Sequence, residues 1–103
     1  MSEADWRRSH ADPGNLRRVA GSLRERAGRL GDAYAPLQRD ADRVAWAGEA
    51  ANRFRSDIHT QGDRVARARR ALEEAAAALD RWASRLETDL EAVRRDDRAH
   101  QKG

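Results

Sequence analysis

Apolar residues recur at alternating steps of four and three along two long stretches of the chain. In the first stretch they are Leu16, Ala20, Leu23, Ala27, Leu30, Tyr34, Leu37, Ala41 and Val44. In the second stretch they are Ala51, Phe54, Ile58, Val65, Ala68, Leu72, Ala75, Leu79, Trp82 and Leu86, with the polar Gln61 in the same rhythm. This spacing is typical of an amphipathic α-helix whose apolar stripe packs against another helix. The pattern therefore predicts an all-α chain built from two long helices.

The tripeptide Trp46-Ala47-Gly48 separates the two stretches. Glycine tolerates the backbone angles found at the end of a helix, and an indole ring can fill the corner where two helices diverge. We therefore predict an antiparallel two-helix hairpin over residues 12–95, with its turn at residues 45–48.

The predicted helix boundaries rest on local signals. Asp12 can accept hydrogen bonds from free backbone N–H groups, and Pro13 at the first helical position loses no bond, so helix 1 is predicted at about 13–44. Glu49 favours the positive end of a helix dipole, and helix 2 is predicted at about 49–95.

Neither end of the chain shows a helical period. Residues 1–11 are polar apart from Trp6, and we expect a flexible N-terminal arm whose tryptophan docks against the rest of the chain. Residues 96–103 are charged and aperiodic, which predicts a disordered tail.

The seam between two helices is a small hydrophobic core for a chain of 103 residues. There are no cysteines, and the three histidines are far apart in sequence, so neither a disulfide nor a structural metal is expected. Oligomerisation is the remaining source of stability for so small a core.

Charge and hydropathy argue against nucleic acid and membrane as partners. The 21 basic and 18 acidic residues give a net charge of +3, and pairs such as Arg69 with Glu73 and Arg70 with Glu74 indicate a solvated, ion-paired helix face more than a nucleic-acid site. No apolar run approaches the roughly 20 residues that a membrane-spanning helix needs, and the N-terminus lacks the apolar region of a signal peptide.

No constellation in the sequence predicts catalysis. Two antiparallel helices offer no deep pocket, and the best nucleophile and base pair, Ser56 with His59, lacks evident oxyanion donors. We therefore expect no enzyme activity, no catalytic residue and no cofactor.

Helix 2 is predicted to be longer than helix 1. At about 1.5 Å per residue the two helices span roughly 70 and 48 Å, so the C-terminal part of helix 2 extends beyond its partner. The arm would then run alongside Trp82, Leu86 and Leu90, the apolar residues that helix 1 covers least. We predict that these residues form an exposed recognition face.

The segment from Trp46 to Phe54, with Gly48 and the alanines Ala50 and Ala51, resembles the Trp-x-Gly-x-Ala-Ala-x-x-Phe segment of the WXG family, the small helical-hairpin substrates of type VII (ESX-like) secretion. The resemblance implies that Trp46, Gly48 and Phe54 shape the turn. It also implies a four-helix bundle of two hairpins, formed with a second copy or a related subunit, and export by a membrane ATPase.

The family also carries a Tyr-x-x-x-Asp/Glu export signal in the C-terminal part of helix 2. This chain departs from it, because Trp82 stands at the aromatic position, Leu86 stands four residues on, and the acid is Glu87. The signal could instead be supplied by a partner subunit.

The leading hypothesis is a non-enzymatic type VII secretion substrate or co-secreted adaptor. It would be cytoplasmic before export, secreted without a cleaved signal peptide, and recognised through Trp82, Leu86, Glu87 and Leu90. A cytoplasmic coiled-coil adaptor is the alternative, followed by a basic nucleic-acid-binding hairpin, and the chain could also be the leading domain of a larger type VII toxin.

Overall fold

The computed structural model describes residues 1–43 and 48–102, which form three helices and no strand. These are α1 (Glu3–Ser9), α2 (Pro13–Arg43) and α3 (Glu49–Lys102). The prediction of an all-α chain is confirmed for the described residues. The chain divides into two compact units, one made of Met1–Ser22 and the chain from Ala75 onward, here called the end unit, and one made of Leu23–Glu74, the middle unit.

Helix α1 occupies the segment that the sequence analysis assigned to a flexible arm. Ser2 is its N-cap, and the Ser2 hydroxyl oxygen accepts a hydrogen bond from the Asp5 backbone N–H at 3.1 Å. Trp6 anchors the helix in the end unit, with only 3% of its surface exposed. Its seven residues carry only one large apolar side chain, so the segment shows no apolar period, and a tertiary contact stabilises the helix.

Helix α2 begins at Pro13 as the Asp12-Pro13 pair predicts. The Asp12 carboxylate accepts a hydrogen bond from the Asn15 N–H at 3.2 Å, and its backbone carbonyl accepts one from the Leu16 N–H at 3.1 Å. The helix continues through Pro36 and is described as far as Arg43.

Helix α3 follows Gly48, whose φ of +118° lies in a region that L side chains rarely adopt. The Gly48 carbonyl accepts the Asn52 N–H at 3.1 Å, within the first turn. The helix extends to Lys102, so the predicted end at residue 95 is corrected, and residues 96–102 of the predicted disordered tail are helical. The Asp97 carboxylate accepts the backbone N–H of Glu3 at 3.1 Å, a contact from α1 that no local pattern in this segment indicates.

The end unit contains the hydrophobic core. All three helices contribute buried residues to it, namely Trp6, Leu16, Ala83, Leu86 and Leu90. The partly buried Ala11, Leu79 and Val93 pack against this cluster. Arg17 contacts Ser84 and Glu87, whereas the earlier Glu3 contacts the later Arg94. The N-terminal segments of this unit therefore run antiparallel to α3.

The fully buried residues described in the middle unit are small, and polar contacts join its two segments. Ala27, Ala41 and Ala51 are at most 2% exposed. The Tyr34 hydroxyl donates a hydrogen bond to the Ile58 carbonyl. The Gln38 amide lies so close over Gly62 that a Cβ at this position would clash with it. Glycine therefore leaves room for the Gln38 side chain at this position.

Candidate partner interface

The predicted turn motif lies only partly within the described residues. Trp46 falls outside them, whereas Gly48 is described and has a φ of +118°. Phe54 is 40% exposed, and Leu37 is 49% exposed. The role of Phe54 in shaping the turn stays a prediction.

The predicted recognition face on α3 separates into three environments. Leu86 and Leu90 are each 5% exposed, because Trp6 and Leu16 pack on them. Trp82 remains 42% exposed. Glu87 is also exposed and forms an ion pair with Arg17. The expectation that Leu86 and Leu90 are uncovered is therefore corrected: the segment predicted to be a flexible arm covers them as α1.

Trp6 is held from both sides in the end unit. Its indole stacks on the His10 imidazole, with ring centroids 4.4 Å apart and planes 8° from parallel. The Nδ1 atom of His10 lies 2.8 Å from the Trp6 carbonyl oxygen. The hydrophobic cluster and the imidazole together keep the ring from solvent, and they hold α1 against α3.

Glu3 supplies the polar part of the same contact. Its Oε1 lies 2.9 Å from Nη2 of Arg94 and 3.2 Å from Nη2 of Arg7. The hydrogen bond from Arg94 lowers the pKa of Glu3, although burial opposes this shift, and the same bond raises the pKa of Arg94. Both side chains remain more than a third exposed, so the pair contributes orientation more than stability.

Arg17 forms a bidentate pair with Glu87 on one side of the end unit. Its Nε and Nη2 lie 2.9 and 3.1 Å from the two carboxylate oxygens, and Nη2 also donates to the Ser84 hydroxyl at 3.1 Å. The hydrogen bond from Arg17 lowers the pKa of Glu87, with burial opposing it. The acid proposed for recognition is therefore already occupied by an internal partner.

Large apolar side chains are exposed along one side of each unit. In the middle unit they are Leu30 at 38%, Leu37 at 49% and Phe54 at 40%. Leu30 precedes Gly31, which lies beside Arg69 of α3. Leu37 precedes Gln38, which lies beside Gly62 of α3.

Phe54 has the corresponding position on α3, one residue before a half-buried one. A step back of one residue turns a side chain by about 100°. Because the paired segments are antiparallel, that step moves the side chains of both to the same side of the unit. Leu30, Leu37 and Phe54 therefore form what we call the apolar edge of the middle unit.

The end unit has a similar exposed pair. Val19 and Trp82 are each 42% exposed, and each precedes a fully buried alanine, Ala20 and Ala83. By the same rotation they lie on the side opposite to Arg17 and its carboxylate partner. An open groove of about 480 Å³ adjoins Trp82, and its lining includes Arg85, Leu86 and Asp89.

The docking of Trp6 agrees with the expectation for the N-terminal arm, whereas the ion pair of Glu3 with Arg94 and the helical form of the arm were not predicted. One local signal was present, because Ser2 and Asp5 have the Ser-x-x-Asp spacing of a helix start. That spacing predicts α1, but it does not indicate where α1 docks.

Among the described residues, no helix has a segment apolar enough and long enough to cross a membrane. The chain has no match among curated proteins or among solved structures. A protein-family model does match residues 7–101, which include the last part of α1, all of α2 and nearly all of α3. Since the match covers most of the chain, the protein belongs to the type VII secretion family described as "Putative T7SS secretion signal domain".

Proposed function

We propose that this protein is a non-enzymatic type VII secretion substrate, or a co-secreted adaptor, that packs against a second helical hairpin before export. Membership of the secretion signal family supports the type VII export role. The resemblance of Trp46-Ala47-Gly48 and Phe54 to the WXG segment supports a hairpin whose two long helices meet at this turn. Export would follow the type VII route from the cytoplasm, through the secretion ATPase of that system.

The apolar edge of the middle unit is the observation that carries the packing role. Leu30, Leu37 and Phe54 would each be desolvated in a four-helix bundle. Because each is already more than half covered, burying the exposed remainder contributes roughly half or less of the ~1.5–3 kcal/mol that full burial of such a side chain provides. Among the described residues of this unit, the fully buried ones are small, such as Ala27 and Ala41, and they bury little apolar surface. A second copy, or a related hairpin, would supply the missing core.

Trp82 is the part of the predicted recognition face that we retain for the export machinery. It is exposed, it borders an open groove, and Arg85 and Asp89 lie on the same helix face one turn and two turns further on. Glu87 contributes through its internal pair with Arg17, which fixes the position of this part of α3 in the end unit.

Export is tested by expressing the tagged chain in a host that has a type VII system, with and without its secretion ATPase. We expect the protein in the culture filtrate only when the ATPase is present, with a cytoplasmic enzyme as the lysis control. Equal amounts in both filtrates would refute the export role. Trp82→Ala, tested beside it, should reduce export while leaving the helical content unchanged.

Packing is tested by light scattering on the purified chain and two charged variants. The chain should form a dimer of about 23 kDa, twice its mass of 11.6 kDa. Leu37→Glu should give a folded monomer, because a carboxylate in the bundle core lacks a partner. Ala66→Glu, on an exposed position away from the apolar edge, is the matched control and should remain dimeric. A wild-type monomer would instead assign the second hairpin to a different chain.

A further inference from the structure

We infer that α1 is a displaceable cover over a peptide-binding groove on α3. The groove is formed by Leu86 and Leu90 with Arg94 at its end, and it belongs to the end unit. The partner that fits it is a helical segment carrying an acidic residue three positions before a tryptophan. The inference rests on the recognition role proposed for α3, but its binding test does not depend on export.

The first step is that α1 depends on docking to exist as a helix. It has seven residues, and isolated helices shorter than about 12 residues are unstable in water. Its one buried side chain is Trp6, and its hydrophobic contacts are with side chains of α2 and α3. The helix therefore forms when the tryptophan binds, as a peptide ligand would when it folds on its target.

The second step is that α1 shows which ligand the groove accepts. Trp6 fills the space between Leu16, Leu86 and Leu90, and Glu3 reaches Arg94 at 2.9 Å. Residues three apart share one face of a helix, so a single short helix can make both contacts. The Asp97 carboxylate adds a hydrogen bond from the Glu3 N–H, at the first turn of the bound helix.

The third step is that this cover can be exchanged. The polar contacts of Glu3 with Arg94 are exposed and weakly stabilising, so the attachment depends on one aromatic anchor. The advantage of α1 over a free ligand is its tether, which sets an effective concentration on the order of millimolar for a short linker. A partner helix with the same anchor and a few further contacts would displace it and expose an apolar surface that the free chain keeps covered.

The test uses the full-length Trp6→Ala chain and a fluorescent peptide with the sequence of residues 2–11. Removing the anchor should free the groove, so the peptide should bind this variant saturably in an anisotropy titration. Binding to the wild-type chain should be at least about tenfold weaker, because the tethered helix competes at its effective concentration. A peptide with alanine in place of its tryptophan should not bind either chain.

A charge exchange checks the orientation of the bound helix. Arg94→Glu, added to the Trp6→Ala chain, should weaken binding of the peptide, and a peptide with arginine in place of Glu3 should restore it. Equal binding to the wild-type and Trp6→Ala chains would overturn the inference. The inference would also be overturned if the Trp6→Ala chain keeps its helical circular dichroism but shows no change in peptide anisotropy.

Hydrogen exchange on the wild-type chain provides an independent measurement, should the Trp6→Ala chain not fold. The amides of α1 should exchange faster than those of residues 83–93, because the cover opens while α3 stays helical. Equal exchange rates in the two segments would contradict an independently opening cover. If the protein is not exported but the peptide binds as expected, the proposed function is wrong and the inference about α1 stands. If the protein is exported but the peptide does not bind, only the inference that α1 is a displaceable cover is wrong.

Discussion

The two tryptophans in the end unit allow a matched comparison of buried and exposed indoles. Trp6 is 3% exposed and Trp82 is 42% exposed. A buried aromatic side chain removes roughly 200 Å² from water, which at about 25 cal/mol per Å² gives an upper limit near 5 kcal/mol. Trp6→Ala should therefore be clearly more destabilising than Trp82→Ala.

The expected magnitude for Trp6→Ala is about 3 kcal/mol, the lower end of the range for aromatic truncation in cores. The reason is that α1 can detach when it loses its anchor, and the freed segment regains backbone entropy of about 1–2 kcal/mol per residue. Detachment also exposes Leu86 and Leu90, so a substantial loss remains. Trp82→Ala should cost about 1 kcal/mol or less, because the exposed part of its ring gains little from folding.

Urea denaturation followed by circular dichroism measures both effects, at a protein concentration low enough to keep association from contributing. The slope of the transition should also fall for Trp6→Ala, because a detached α1 leaves less surface to expose on unfolding. If Trp82→Ala lowers the free energy of unfolding as much as Trp6→Ala does, the docking of α1 described here is wrong.

Two further predictions concern charge and backbone. Arg17 lowers the pKa of Glu87, so this contribution to stability is present above the ordinary pKa of a glutamate and is lost as the pH falls through the lowered value. Glu87→Gln should therefore reduce the loss of stability between pH 7 and about pH 3 in urea titrations, whereas the exposed Glu73→Gln should reduce it less. Gly28→Ala should raise the free energy of unfolding by about 1 kcal/mol, because a Cβ there meets no atom within 4 Å. Gly48→Ala should lower it by about 1–2 kcal/mol, because the φ of +118° strains an L side chain; thermal melts that rank these two variants in the opposite order would contradict the backbone argument.

The position of the α3 seam shows where prediction from the sequence stopped. The apolar rhythm placed Phe54 and Trp82 on the buried side, but the structure buries the adjacent Ala83 and leaves both aromatics exposed. Both rows of residues lie within the apolar stripe of the helix, which is about 100° wide. Periodicity alone gives the stripe and leaves the rotation of the helix within it undetermined. Small residues in the inner row permit close packing, and the larger side chains then remain on the apolar edge.

The sequence by itself determined that this protein is helical and where α2 and α3 begin. Those features depend on local chemistry, namely the four-three apolar repeat and the hydrogen bonds that Asp12 makes at a helix start. Only the tertiary structure decided that residues 1–11 contain a helix and that Leu86 and Leu90 are buried beneath Trp6 and not exposed for a partner. These contacts join residues about 80 positions apart in the sequence. A single aromatic residue produces no apolar period, so the sequence does not show a helix there. The helix is stable only because its tryptophan packs on distant residues.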